Sequence, residues 1–262
     1  MPIIFSAITP HPPILIPAIG KENLERLKST LEAFKKLEED LYACQPDTIF
    51  IISPHGRIQP DSFTMNLSPE FQGNFEDFGD FATKINFAGN IGLAYKIRES
   101  METKAPLQLM SDSSLDHGSL VPLYLLAQKL PKVKIIPLYY AGLDLSAHFK
   151  FGQLLKREFL VSKERVAVIA SGDLSHRLTK DAPAGYSSKG KKFDKKLIEY
   201  LKKKDAKSII EIKHDLIYEA GECGLKSIVI LLGILDGINC KPKLLSYEGP
   251  FGVGYLVMQF EM

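Results

Sequence analysis

Thr48-Ile49-Phe50-Ile51-Ile52-Ser53-Pro54-His55-Gly56 is the stretch from which the fold can be read. Its first six residues form a β-branched run that reads as a strand, and Pro54-His55-Gly56 closes it. Just upstream, Leu24, Leu27, Leu31, Phe34 and Leu41 recur at helical spacing among Glu and Lys. Residues 22–43 are therefore predicted to form a surface helix with one buried face. Further back, the apolar run Ile3–Thr9 ends at Pro10-His11-Pro12-Pro13. Strand, helix and strand in this order build parallel sheets through right-handed crossovers.

The remaining chain continues the alternation. Phe63, Met65 and Leu67 alternate with polar residues and predict a half-buried strand. Residues 70–87 carry Phe71, Phe75, Phe78, Phe81 and Phe87 among Glu, Asp and Gly. They read as a loop tucking aromatic rings under itself, or as an apolar wall or lid over a pocket. Leu120–Leu130 reads as a helix, and Val133–Tyr139 and Val166–Ser171 as buried strands. Lys191–Lys204 is a basic amphipathic helix whose lysines form a solvated face. Leu225–Leu235 is apolar all round and is expected in the core. Lys243–Tyr247 and Gly254–Phe260 read as closing strands joined by a turn at Gly249–Gly252. With no internal repeat and no linker, residues 1–262 are expected to form a single α/β domain. Its central sheet should be mostly parallel or mixed and flanked by helices.

Composition narrows the function. The 262 residues hold 33 basic and 31 acidic side chains, for a net charge of +2. This balance does not advertise nucleic-acid or membrane binding. The longest apolar stretch, Ile228–Leu235, is far short of the ~20 residues of a membrane span. Three dispersed cysteines argue against a disulfide framework, and the N-terminus lacks the features of a signal peptide. A cytoplasmic protein is expected. There is no dinucleotide or P-loop fingerprint, no Cys-x-x-Cys, no His-Glu-x-x-His and no Gly-x-Ser-x-Gly.

The histidines carry the functional signal. His11 and His55 each follow a strand and a proline, His176 follows a third strand in Ser171-Gly172-Asp173-Leu174-Ser175-His176, and His117 precedes a helix. Loops after the carboxyl ends of parallel strands gather along one crevice. Taken singly these are structural histidines; in equivalent places they point to a metal site or an acid/base site. Proline before His11 and His55 biases Thr9 and Ser53 toward extended backbone and stiffens the strand exits. A third ligand is sought in Glu222 of Ala220-Gly221-Glu222-Cys223-Gly224, which alternatively caps the following helix. Two histidines and a carboxylate suit non-haem Fe(II), and zinc also accepts such a set. His148 and His214 read as surface residues.

At these residues the sequence resembles the LigB-type class III extradiol ring-cleavage dioxygenases, in the branch named for its association with Memo and radical-SAM proteins. The resemblance is carried by Thr9–Pro13, Ser53–Gly56, Asp116–Leu123, Ser171–His176, Ala220–Gly224 and Tyr247–Tyr255. It implies Fe(II) held by His11, His55 and Glu222, with His117 and His176 as the catalytic proton carriers. It further implies a catecholic aromatic substrate cleaved with O2. Some relatives use a small partner chain or fused domain to close the pocket; here the chain's own loop would cover it, a separate small subunit would, or catechol cleavage is not its role, and a homodimer is expected on general grounds. Two other readings stand beside it. One is a Memo-like protein that binds a metal or ligand without ring cleavage, with Cys223 making the site redox-sensitive. The other is a zinc-dependent hydrolase.

Overall fold

A computed structural model describes residues 2–262. The elements run β1 (Ile3–Thr9), α1 (Pro17–Gly20), α2 (Lys28–Cys44), β2 (Thr48–Ser53), β3 (Phe63–Asn66), β4 (Glu70–Phe75), β5 (Asp80–Gly89), α3 (Ile91–Met101) and β6 (Leu107–Met110). They continue with α4 (His117–Leu126), β7 (Lys134–Tyr139), α5 (Leu145–Val161), β8 (Val166–Ser171), α6 (Ser188–Leu201), α7 (Ala206–Ile210), α8 (His214–Ala220), α9 (Leu225–Ile234), β9 (Lys241–Glu248) and β10 (Tyr255–Glu261). The strands form one mixed sheet in the order β4-β5-β7-β2-β8-β1-β10-β9, with β3 and β6 branching from β7. β7, β2, β8 and β1 are mutually parallel, and β10 and β9 close the far edge antiparallel. No helix among the described residues is long and apolar enough to cross a membrane.

The run at residues 48–53 is buried at every position because both faces of the sheet are covered. Ile49 and Ile51 join one apolar cluster with Phe34, Leu37 and Leu41 of α2 and Leu120 and Leu123 of α4. Phe50 and Ile52 point the other way, into a cluster with Phe151, Leu155 and Phe159 of α5 and Ile228 to Leu232 of α9. Period-two alternation along β2 thus feeds two cores. Each fully buried Ile contributes roughly 1.5–3 kcal/mol relative to exposure. α9 is apolar all round because it lies over the sheet and against α5. Gly152 and Gly233 let those helix backbones meet, since a Cβ on Gly152 would fall 2.2 Å from the Ile230 carbonyl oxygen.

Four local expectations are corrected. Residues 70–87 are a hairpin of β4 and β5, not a loop: Phe71 and Phe75 alternate inward, while Phe78 and Phe81 stay exposed. Residues 63–66 are buried on both faces, because β3 lies between β6 and β7. The helix expected over residues 22–43 starts later, because a 3-10 segment, Lys21–Leu27, precedes α2. His148 is fully buried rather than on the surface. Its Nε2 accepts the Ala141 N–H at 3.3 Å, its Nδ1 lies 2.6 Å from the Asp144 carbonyl, and its ring packs on Phe63. Its helix reads as polar, and the buried turn before it leaves no hydrophobic mark.

Burial pushes His148 down to about 4 from 6.5. Below 6.5 the unfolded chain takes a proton that the native state refuses, so stability is intact above 6.5 and falls as the pH drops toward 4. Replacing His148 by Leu should remove one proton from this linkage. The slope of unfolding free energy against pH between 4 and 6.5 should then drop by about 1.4 kcal/mol per pH unit. Urea titrations of both proteins across that range measure it, and parallel slopes would refute the assignment.

Candidate metal centre and cleft

β2, β8 and β1 are neighbours in parallel register, so their carboxyl ends open side by side. His55 follows β2, Asp173 and His176 follow β8, and His11 follows β1. Two helix starts meet them there. His117 is the first residue of α4, one turn earlier than the apolar pattern implies, because Asp116 caps the helix by accepting the Ser119 N–H at 3.0 Å. Gly118 allows this first turn to sit on the β2 exit: a Cβ there would fall 2.5 Å from Ser53 Oγ. The start of α9 comes as close to the β8 exit. A Cβ on Gly172 would fall 2.1 Å from the Gly224 Cα, so only glycine lets the two backbones touch and brings Cys223 into the crevice.

Three imidazoles converge. His11 Nε2 and His55 Nε2 are 2.9 Å apart, and the His55 and His117 rings stack at 4.2 Å. The His11 and His117 ring centroids are 5.5 Å apart. The Ser171 hydroxyl fixes the tautomer of His11. It donates to the Gly118 carbonyl, so it can only accept from His11 Nδ1–H, at 2.9 Å. The Nε2 lone pair of His11 is then turned toward His55. Asp173 Oδ1 accepts the His11 backbone N–H at 3.0 Å and holds the strand exit. Burial, reinforced by His55, His117 and His176, holds the His11 imidazole well below its usual range. Loss of water contact and then the neighbouring His117 push His55 to about 4. Burial also lowers His117 and His176. At neutral pH all four rings are uncharged, the form that binds a cation or takes a proton.

The sequence-predicted residues do not all meet. His11 and His55 come together, His117 stacks on His55, and His176 is near enough for its charge to press on both His11 and His55. The His176 Nδ1 is buried without a hydrogen-bond partner. Glu222 is not brought to the pair. Its Oε2 accepts the Leu225 N–H at 2.6 Å, capping α9, and the residue lines a different cavity, of about 510 Å³, with Leu143, Ile210 and Lys226. Burial raises its carboxyl to about 7. The place beside His11 is held by Cys223, whose Sγ lies 3.6 Å from His11 Nε2. The ligand atoms of His11, His55 and Cys223 lie within 4.8 Å of one another, the one such group among the described residues.

This set fits a cation. In a tetrahedral site two nitrogens about 2.1 Å from one ion stand about 3.4 Å apart, so the 2.9 Å between the two Nε2 atoms, itself a hydrogen-bond distance, would widen by about half an ångström around such an ion. Cys223 Sγ accepts the Asp173 N–H at 3.3 Å, a bond that favours thiolate. Burial pushes its thiol well up, and a bound cation would favour loss of that proton. Sequence reasoning missed Cys223 as a donor, and Asp173 and Ser171 as the residues that position His11. The signal was present in Gly221-Glu222-Cys223-Gly224, yet which of two adjacent side chains enters the crevice depends on helix phase.

Outside the donor group lies an open cleft of about 520 Å³ lined by His55, Arg57, Phe78, Asp116, His117 and Tyr139. Phe78, at the tip of the β4–β5 hairpin, lies edge-on to His117 with centroids 5.4 Å apart. The aromatic segment does contribute a wall, through this ring.

Comparison with known proteins gives four findings. The family model described as the catalytic LigB subunit of aromatic ring-opening dioxygenase matches residues 6–258. The chain is 37% identical over 264 residues to Protein CA_C1420 of Clostridium acetobutylicum, covering 97% of this chain and 56% of that protein, so it spans little more than half of that relative. It is 24% identical over 245 residues to a 3,4-dihydroxyphenylacetate 2,3-dioxygenase of Escherichia coli, covering 87% of this chain and 88% of the enzyme. Among solved structures, the uncharacterized protein JW3007 of Escherichia coli K12 superposes with a TM-score of 0.66 at 16% identity. The match covers 98% of this chain and 99% of that one, and shows a shared fold.

If Cys223 is the third donor, Co(II) titration should produce a thiolate-to-metal absorption band in the near ultraviolet. Cys223→Ser should abolish the band, Glu222→Gln should keep it, and Ser171→Ala should weaken Co(II) binding about 10–100-fold by freeing the His11 tautomer. No such band in the wild type, with Co(II) binding lost in Glu222→Gln and kept in Cys223→Ser, would reverse the assignment.

Proposed function

The chain belongs to the family of catalytic LigB subunits of aromatic ring-opening dioxygenases, and from that membership we propose that it opens the ring of a catecholic compound with O2 as an extradiol-type, non-haem Fe(II) enzyme. The observation that carries this reading is the stacked His55–His117 pair. It couples a metal-donor imidazole to a neutral imidazole that faces an open cleft. His11 and His55 would hold the metal, with Cys223 the nearest third donor. Fe(II) bound there would supply adjacent coordination positions and electron transfer between a catecholate and dioxygen.

The protein groups have separable tasks. His117, uncharged at neutral pH, takes a proton from a substrate hydroxyl. His176, whose buried Nδ1 has no hydrogen-bond partner, would hold a second proton and return it as the ring opens. Asp116 is fixed by Ser53 and by Ser119, whose hydroxyl donates to Oδ2 at 2.7 Å. Its negative charge sits beside His55 and His117 and supports the protonated imidazole formed in turnover. Phe78 supplies an apolar surface for the aromatic ring and excludes water from one side of the cleft.

A second reading rests on one specific observation. A thiol stands where the Fe(II) reading expects a carboxylate, and soft donors select zinc or copper over iron. A Memo-like metal-binding protein without ring cleavage follows from that donor set. The two readings separate in one experiment. Protein loaded anaerobically with Fe(II) and mixed with a panel of catechols in oxygenated buffer should consume O2 and form a yellow ring-opened product. His11→Ala should lose bound metal. His176→Ala should retain metal while turnover falls about 100-fold or more, the usual scale for a proton carrier. Absence of O2 uptake across the panel, with copper or zinc retained through purification, would favour the second reading.

A further inference from the structure

The sheet has a notch, and it lies outside the cleft. β5 pairs with β4 from Lys84 to Ala88 and again at Asp80, but it meets β7 only at Ala88 and Gly89. From Ala82 to Phe87 its β7-facing edge has no strand partner. The Gly89 N–H goes to the Pro69 carbonyl on the β4 side, and the Asn90 N–H goes to the Ile135 carbonyl on the β7 side. Alternation carried back along the strand turns the N–H and C=O groups of Asn86 and Lys84 to the open edge. The notch is a groove of about 580 Å³, lined on one side by the consecutive residues 82–88. Only an edge, not a face, presents both parities of a strand. Its opposite wall is apolar except for Gln128: Tyr124, Ala127, Leu130, Pro131 and Val133.

The charge around it is one-sided. Lys84 is the one charged residue lining the groove, and Lys132 and Lys134 flank it. None of the three joins an ion pair among the described residues. Lysine on an open edge guards against pairing with a second copy, because like charges oppose each other across the new ladder. The same lysine favours an acidic strand.

We propose that the β5 edge is a docking site for an extended acidic segment of a partner protein, which adds as a strand with apolar side chains toward Tyr124 and Leu130 and carboxylates toward Lys84, Lys132 and Lys134. Main-chain bonds to Lys84 and Asn86 give affinity, and the alternating side chains give selectivity. The same hairpin carries Asn74, Asp77 and Phe78 in the wall of the cleft, so an added strand braces that wall from behind. The site stands whatever reaction the cleft performs.

Hydrogen exchange on the full-length chain tests it, using an acetylated octapeptide of alternating valine and glutamate as the probe. The peptide should slow exchange at the Lys84 and Asn86 amides by about tenfold or more. The Ile85 and Phe87 amides, already bonded to β4, should not change. Raising salt from about 0.05 to about 0.5 M should weaken the effect about fivefold, as screening of exposed charges requires. Lys84→Glu should shift the preference toward a valine–lysine peptide. The valine–glutamate peptide N-methylated at alternate residues, so that its bonding edge is blocked, should have no effect on wild type. The proposal is overturned if neither Lys84 nor Asn86 responds at millimolar peptide, or if the N-methylated or basic peptide acts equally well on wild type. It is also overturned if the same two amides become protected on concentrating the protein alone, which would make a second copy the occupant.

Discussion

Parallel pairing of β8 with β1 on one side and β2 on the other ends three strands at one level, with Thr9 opposite Ser171 and Ile52 opposite Ala170. Every feature of the crevice follows from that ladder. The loops that leave it have no choice but to emerge together, and the prolines before His11 and His55 keep two of them extended at the exit. Ser171, the last residue of the middle strand, is the tie. Its hydroxyl spans from the imidazole after β1 to the first turn of α4, which in turn rests on the exit of β2. One buried hydroxyl thereby sets both the tautomer of a donor histidine and the seat of the helix that delivers His117.

Crowding is the second constraint. Four uncharged imidazoles share a small volume with the buried Asp173, whose carboxyl burial raises to about 7, and with a thiol that burial keeps protonated. In water such a collection would carry mixed charges. Here desolvation drives the bases toward their neutral form and the acids toward theirs. A divalent cation bound there would reverse this balance, drawing the proton from sulfur and offering the nitrogens a partner.

Much of this was legible in the residues. The buried parallel strands could be read because continuous apolar runs such as Thr48–Ser53 and Val166–Ser171 leave no other reading at that length. The gathering of His11, His55 and His176 could be read because strand-exit position is a property of sequence order once the sheet is parallel, whereas His117 comes in on a helix start. The β4–β5 hairpin was hidden: its turn, Glu76–Gly79, is a 3-10 segment with Gly79 at φ 86, and the buried Phe71 and Phe75 sit among polar neighbours that mimic a loop. His148 was hidden for a different reason, since a buried histidine satisfied by backbone groups has the same local sequence as an exposed one. Glu222 and Cys223 were inseparable in the sequence because they are adjacent. The choice between them is made by the contact of Gly172 with Gly224, which no local pattern announces.

That contact bears on how far family membership reaches. Under the proposed reading His11 and His55 hold the metal, and a fold can keep such a pair while the chemistry shifts. The third donor is where a shift would enter. With the glycines back to back, α9 begins hard against the β8 exit, Cys223 faces the crevice, and Glu222 is drawn off to cap the helix and line the neighbouring cavity. Carboxylate and thiolate differ in softness more than in reach, so this exchange leaves the geometry of the imidazole pair unaltered while changing which ions it holds best. Under the proposed reading the metal preference would be decided by backbone packing between two glycines outside the donor set, and it would answer to a Cβ at either of them.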